Sequence, residues 1–295
     1  MPGLKRVLAV HDISCFGKCS LTVALPLISA AGIEVTVLPT AVLSTHTGGF
    51  EGFTYRDLTD DITGIVAHWQ TLELHFDAIY TGFLGSFEQI DLVRELIARL
   101  RSEDTRVIID PVMADQGRLY GLFSDDFPRG MARLCADADV VVPNTTEAAL
   151  LLGRSWTAPP YGRTQTEELC HALCAELGAA ATVLTGVAFD EEHLGAASYD
   201  TGGSCGKDGA EIPATFSFAA EALVPQLYHG TGDVFGSVLV AALVGGATLA
   251  QATKVAVRFT AASIRRSYEA GTDNRYGVDF EHGLAGLVQM IEELK

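Results

Sequence analysis

Arg106-Val107-Ile108-Ile109-Asp110-Pro111 places an unbroken aliphatic run directly before an acid. A run without polar alternation reads as a strand covered on both faces, as in a parallel sheet packed between helices. Working outward, β-branched runs of the same kind occur at 6–10, 34–38, 77–81, 140–142 and 182–184. Segments of helical periodicity lie between them, near 20–31, 59–72, 87–101, 127–135 and 164–177. This alternation predicts an α/β fold in three layers, a mostly parallel central sheet with helices on both faces. After Thr185 the character changes. Residues 190–218 are rich in Gly, and apolar–polar alternation at 196–199 and 215–218 predicts a hairpin or meander. No repeat, low-complexity tract or linker interrupts the chain, so 1–295 is read as a single domain.

With 295 residues, 48% of them hydrophobic, the chain can bury a sizeable core. Its formal charge of −17, with no Lys/Arg cluster, argues against nucleic acid or an anionic membrane as the main partner. Nucleotides remain compatible, because one basic group or a metal ion can hold a phosphate inside an acidic protein. Six cysteines (Cys15, Cys19, Cys135, Cys170, Cys174 and Cys205) are too few for a disulfide scaffold. The start, Met1-Pro2-Gly3-Leu4-Lys5-Arg6, lacks the apolar stretch of a secretory signal, so a reducing cytoplasm is the expected compartment. From Val234 to Thr253 no residue is charged, which a hydropathy window flags as a membrane span. Gly236, Gly245 and Gly246 interrupt it, and Asp233 caps its start. A buried helix, a Gly-Gly break and a second helix from near Thr248 are expected instead.

Several short patterns imitate known sites. Gly17-Lys18 suggests a P-loop, but Asp12 stands where the first Gly belongs and Cys19 where Ser or Thr belongs. Lys18 is read as a solvated residue at a helix start. Gly202-Gly203-Ser204-Cys205-Gly206 has the spacing of a hydrolase nucleophile elbow, yet its flanks read as a loop rather than a strand-to-helix turn. Cys15/Cys19 and Cys170/Cys174 share a spacing of four, which on a helix puts two thiols on one face. Without further Cys or His partners, small buried side chains are the expectation.

In open parallel sheets ligands bind beyond the carboxyl ends of the strands. Those ends read His11-Asp12, Thr40 with His46-Thr47-Gly48-Gly49, Gly82-Phe83-Leu84-Gly85, Asp110-Pro111, Pro143-Asn144 and Thr185-Gly186. Polar and small residues thus collect along one edge. His229-Gly230-Thr231-Gly232-Asp233 directly precedes the uncharged helix. Two glycines let backbone amides converge, and the helix start adds partial positive charge, a nest suited to a transferring phosphoryl group. A carboxylate there can accept the proton of an attacking hydroxyl. An ordinary N-cap Asp explains the motif equally well when it is taken alone.

Gly230-Thr231-Gly232-Asp233 resembles the anion-hole motif of the ribokinase-like superfamily. Asp110-Pro111-Val112-Met113 with Asp115, and Pro143-Asn144-Thr145-Thr146-Glu147, resemble the DPVMxD and PNxxE segments of its vitamin-kinase branch. Ser44-Thr45-His46-Thr47-Gly48 and Thr81-Gly82-Phe83-Leu84-Gly85-Ser86 are similar to pyridoxal kinase segments. The order and spacing agree over essentially the whole chain.

The resemblance implies ATP-dependent phosphorylation of the 5′-hydroxymethyl group of pyridoxal, pyridoxine or pyridoxamine. A hydroxymethylpyrimidine kinase of thiamin synthesis shares every phosphoryl-transfer motif and is the first alternative. A vitamer-binding protein of the same fold without turnover is the second. By resemblance, Asp233 is the general base, and the Gly230, Thr231 and Gly232 amides form the anion hole. Asp110, Asp115, Asn144, Thr185 and Gly186 contact ATP. Glu147 and Asp110 hold Mg²⁺, partly through water, and a monovalent cation such as K⁺ is left open beside it. Asp12, His46, Thr47, Phe83 and Asp233 contact the substrate. Residues 113–123 act as a lid that excludes water, and a homodimer is expected. Among metal and positive amides, Asp233 is expected to stay ionised. Three positions depart from the pattern: Asp12 where many pyridoxal kinases have Ser, Phe83 where an aromatic hydroxyl is common, and Ala114 where the segment has Gly.

Overall fold

The computed structural model describes residues 3–202 and 213–294. Strand β1 (Arg6–Ser14) leads to helix α1 (Leu21–Ala30), β2 (Glu34–Leu43), the short β3 (Tyr55–Asp57) and α2 (Thr59–Thr71). Then come β4 (Ala78–Thr81), α3 (Phe87–Leu100), β5 (Arg106–Ile109) and the two-residue strands β6 (Ala114–Asp115) and β7 (Arg118–Leu119). Next are α4 (Phe127–Cys135), β8 (Val140–Val141), α5 (Thr145–Leu151), α6 (Arg163–Leu177), β9 (Ala181–Val187), β10 (His193–Asp200) and β11 (Thr215–Ala222). The helices α7 (Thr231–Val244), α8 (Leu249–Glu269) and α9 (Leu284–Glu292) complete the order.

Nine strands form one sheet in the order β11-β10-β9-β8-β5-β4-β1-β2-β3. The six from β9 to β2 are parallel, while β3 joins one edge and the β10–β11 hairpin the other, both antiparallel. The aliphatic runs have the composition they do because alternate residues enter two different cores. Val7, Tyr80 and Ile108 pack with Leu27, Val238, Phe259 and Leu287 from α1, α7, α8 and α9. Leu8, Ile79 and Val107 pack on the other face with residues of α2 to α6, such as Ile62, Val93, Met131 and Leu173. The layers are therefore helix, sheet and helix, as the alternation predicted.

Helix α7 is buried from Val234 to Val244, which accounts for its lack of charge. Gly246 (φ +102) makes the break, and Thr248 caps α8 in a capping box with Gln251. No helix among the described residues is long and apolar enough to cross a membrane. Two expectations change. Strand β1 continues through His11–Ser14 past a bulge between His11 and Ile13, so the polar end of the run is still ladder. Cys15 and Cys19 precede α1 rather than sharing a helix face, whereas Cys170 and Cys174 do lie on α6. The five described cysteines are free, and only Cys15 is exposed. Cys205 and the rest of the elbow-like pattern, 203–206, lie outside the described residues.

Candidate active site

The start of α5 organises one half of the crevice. Asn144 is its N-cap and accepts the amides of Thr146 (2.8 Å) and Glu147 (2.9 Å). Glu147 closes the capping box by accepting the Asn144 amide (2.9 Å). The other Glu147 oxygen accepts the amides of Met113 (3.0 Å) and Ala114 (3.4 Å), and Asn144 Nδ2 donates to the Ala114 carbonyl (2.7 Å). The PNxxE segment therefore anchors the DPVMxD segment through the backbone. Thr185 lies alongside, its amide bonded to the Pro143 carbonyl (2.9 Å), and Gly186 approaches Thr145.

Beyond Ala114 the chain forms the hairpin β6–β7, inside the expected lid. Its turn residues Gln116 (φ 50) and Gly117 (φ 77) both take the left-handed region required by a two-residue hairpin of this kind. The Gly117 amide donates to Thr146 Oγ1 (2.9 Å), and a Cβ on Gly117 would sit 2.6 Å from the Trp156 ring. Trp156 in turn donates to Thr145 Oγ1 (3.2 Å). The turn is thus docked on the first turn of α5 under an indole, a contact between distant segments that no sequence pattern announced. Asp115 on this hairpin is exposed, and its flank Phe123 packs on Phe83 (5.7 Å between ring centroids).

The other half is built at the start of α7. Gly230 is the N-cap in the left-handed region (φ 75), which turns the following amides of the helix start outward. A Cβ there would lie 2.2 Å from the Lys18 carbonyl oxygen, so the 17–20 loop presses against the nest. Nothing lies near the same position on Gly232, which is exposed to the crevice. Two outcomes follow. Gly230→Ala is expected to lose both thermal stability and turnover, because left-handed alanine costs about 1–2 kcal/mol before any clash is counted. Gly232→Ala is expected to keep the wild-type melting temperature but lose turnover, since its methyl enters the space where phosphoryl oxygens approach. Melting curves beside kcat for both variants check this, and a fully active Gly232→Ala contradicts the anion-hole assignment.

Acidic groups converge between these halves. Burial, then the charges of Glu147 and Asp233, push Asp110 well above the usual carboxylate range. Burial pushes Glu147 up to about 8, although the amides of Asn144, Met113 and Ala114 favour its ionised form. Asp233, half-buried at the helix start, is pushed up to about 7 by its removal from water. The Ser20 amide opposes that shift and the Asp12 charge adds to it. Desolvation thus outweighs the Ser20 amide, while the expectation that Asp233 stays ionised applies to a site that also holds a metal. Among the described residues no Lys or Arg pairs with Asp110, Glu147 or Asp233. Nor does any group of three or more His, Cys, Asp or Glu form a ready-made metal cage. Hard oxygen donors crowded without a counter-charge fit a divalent cation that shares its coordination with water and phosphate.

At the substrate end the structure revises the expected orientations. Asp12 is 4% exposed and accepts the hydroxyls of Ser14 (2.9 Å) and Ser20 (2.5 Å), so both its oxygens turn inward rather than toward a ring. His46 is also occupied. Its Nδ1 accepts the Gly48 amide (3.1 Å), and Nε2 donates to the Arg275 carbonyl (2.6 Å), which fixes the neutral tautomer. Burial lowers its pKa accordingly. Thr47 is exposed and Phe83 half-buried, so neither is shut away in the core. Residues not singled out from sequence gather nearby: Phe16, Phe50 and Tyr276 form an aromatic wall, with Phe16–Tyr276 at 5.1 Å. His229 packs on His46 (5.0 Å) and over Gly48, where a Cβ would lie 2.5 Å from its Nδ1. Lys18 stays partly solvated, as expected, but it is not unpartnered. It pairs with Glu281 (2.8 Å) and donates to the Val278 carbonyl (3.2 Å).

The sequence profile of the phosphomethylpyrimidine kinase family matches residues 28–277. Among curated relatives, a pyridoxine/pyridoxal/pyridoxamine kinase of Bordetella avium is 28% identical over 274 residues, covering 88% of this chain and 84% of its own. A pyridoxal kinase of Arabidopsis thaliana is 26% identical over 245 residues, covering 79% and 72%. Among solved structures, a Bacteroides thetaiotaomicron protein provisionally assigned as a phosphomethylpyrimidine kinase, crystallised with pyridoxal, is 36% identical with a TM-score of 0.87, covering 97% of this chain and 96% of its own. The pyridoxal kinase of Lactobacillus plantarum is 30% identical with a TM-score of 0.85, covering 99% of each chain.

Proposed function

The chain belongs to the phosphomethylpyrimidine kinase family, and from that premise we propose that it transfers the γ-phosphoryl group of ATP to the 5′-hydroxymethyl group of a vitamin B6 ring. The observation that carries this is the meeting of the α7 nest and Asp233 with Asp110 and the Asn144–Glu147 turn. The names of the relatives, and the pyridoxal in the Bacteroides structure, support the acceptor.

In this reading the acceptor hydroxyl lies against Asp233, which takes its proton as the oxygen attacks the γ-phosphorus. The bond from that phosphorus to the β–γ bridging oxygen breaks, and ADP carries away the electron pair. Amides at Gly230, Thr231 and Gly232, with the positive end of α7, face the charge that spreads over the transferring oxygens. Asp110, and Glu147 through water, would hold Mg²⁺, which when bound neutralises charge on the nucleotide phosphates. Asn144, Thr185 and Gly186 border the nucleotide on the α5 side. The β6–β7 hairpin, with Asp115, covers the transferring group and keeps water out. Thr47 and Phe83 meet the ring, while His46 shapes the loop that carries Thr47.

A coupled ADP-release assay with pyridoxal, pyridoxamine and hydroxymethylpyrimidine run in parallel tests the proposal. ADP formation that depends on a B6 vitamer is expected. No ADP with any acceptor would sink the kinase reading, and faster turnover of the pyrimidine would sink the acceptor assignment.

A further inference from the structure

The β6–β7 hairpin is too small to hold itself in place. Its ladder consists of two pairs, Ala114 with Leu119 and Asp115 with Arg118. An isolated two-stranded ladder is at best marginal in water, even when longer than this. The base of the hairpin is fastened at Ala114, whose amide reaches Glu147 (3.4 Å) and whose carbonyl accepts Asn144 Nδ2 (2.7 Å). The tip, Gln116-Gly117, is exposed and needs an attachment of its own.

That attachment comes from a residue outside every motif. A Cβ on Gly117 would lie 2.6 Å from Cε3 and 3.0 Å from Cζ3 of Trp156, so the indole sits where only glycine leaves room. Trp156 Nε1 donates to Thr145 Oγ1 (3.2 Å), and the Gly117 amide donates to Thr146 Oγ1 (2.9 Å). Indole and tip are therefore fixed to adjacent residues in the first turn of α5. Core packing does not explain Trp156, because it belongs to neither hydrophobic cluster. Residues 153–160 are exposed apart from Trp156 itself. The indole also borders a cavity of about 190 Å³, shared with Ala149, Tyr161 and Leu169, so it is not wedged among core side chains. Its contact with Gly117 is what its placement serves.

We infer that Trp156 is a positioning residue that pins the tip of the β6–β7 hairpin on α5, so that the hairpin stays over the transferring phosphoryl group and keeps water from it. The inference rests on the reading of this hairpin as the cover of a kinase site. Asp115 lies between the two attachments, one residue after Ala114 and two before Gly117, so its orientation needs both. With the base alone fastened, the ladder still forms but swings, and water reaches the γ-phosphorus. Water then replaces the acceptor hydroxyl as nucleophile. Its oxygen bonds to phosphorus, the bond to the β–γ bridging oxygen breaks, and ADP keeps that electron pair. The products are ADP, inorganic phosphate and a proton.

The test compares wild type, W156A, W156F, G117A and the G117A/W156A pair. Hydrogen exchange of the peptide spanning 113–121 reads the docking. Phosphorylated pyridoxal, inorganic phosphate and ADP, measured in one reaction with MgATP and pyridoxal, read the consequence. Trp156→Ala is expected to speed exchange in that peptide at least about tenfold while the two cores keep wild-type protection. The share of ADP formed with inorganic phosphate is expected to rise at least about fivefold, with KM for pyridoxal within about twofold of wild type. Trp156→Phe, which keeps a ring but no N–H, is expected to fall between. Gly117→Ala carries backbone strain in any background, but its methyl meets the indole only when Trp156 is present. Its effect on the inorganic phosphate share is therefore expected to be at least about threefold larger in wild type than in Trp156→Ala. Unchanged exchange in Trp156→Ala, or equal effects of Gly117→Ala in both backgrounds, overturns the docking role. Faster exchange spread over both cores overturns it too, since Trp156 would then be merely structural. Faster exchange of 113–121 alone, with no rise in inorganic phosphate, overturns the inference through the cover reading. A wild type that forms no phosphorylated pyridoxal sinks the kinase reading instead.

Discussion

Asp233→Asn is expected to lower kcat by about 10²–10⁴-fold, the range contributed by a positioned general base, with ATP affinity unchanged. The amide is nearly isosteric, so the α7 nest survives and only proton acceptance is lost. The pH dependence carries a sign that can be checked. Asp233 lies near 7 in the free chain because burial disfavours its charge, and a base must be deprotonated to work. kcat/KM, which reports the free enzyme, is therefore expected to rise with pH through a limb near 7. Stability moves the other way. A carboxyl whose folded pKa is raised contributes stability that is full below its unfolded value and is lost as pH rises through the folded one. Asp233→Asn cannot ionise, so it is expected to melt above wild type at pH 8 and to lose that advantage progressively from about 7 down toward about 4, the window between the folded and unfolded values. A variant that is less stable than wild type at pH 8, or near wild type in rate, contradicts the account.

Glu147→Ala carries the largest expected loss of stability. It removes the acceptor for the Asn144 amide on one oxygen and for the Met113 and Ala114 amides on the other. Each buried donor left unpaired costs about 1–3 kcal/mol. Relief of the Asp110–Glu147 repulsion offsets part of this, leaving a net loss of about 2–4 kcal/mol. Turnover falls as well, because the DPVMxD backbone and the hairpin lose their anchor on α5. Thermal unfolding beside single-turnover kinetics separates the two effects. A Glu147→Ala protein with the wild-type melting temperature would mean that water replaces the carboxylate, and that Glu147 acts only near the metal.

Strands of the central sheet were legible because burial on both faces leaves an unbroken aliphatic signature, as in Arg106–Ile109. Helices α1, α2, α3, α4 and α6 were legible from periodicity, and the β10–β11 hairpin from its alternation. The edge strand β3 is exposed throughout, and β6 and β7 are two residues each, too short for any period. Helix α5 spans about two turns of mostly buried residues, and its cap rather than its pattern defines it. At the site, sequence placed the candidate residues at strand ends and helix starts but not their orientations. Asp12 and His46 look like presented polar groups in the chain, yet each spends its polar atoms on neighbouring loops. The strained turns at Lys18 and Ser20 were hidden because neither position is glycine.

The central claim is settled most directly by where the phosphorus ends up. Phosphorus NMR of a reaction of pyridoxal, ATP and Mg²⁺ with the wild-type chain is expected to show a monoester coupled to two methylene protons, formed in step with ADP. Inorganic phosphate in place of that ester, or ADP release that does not depend on pyridoxal, would contradict it.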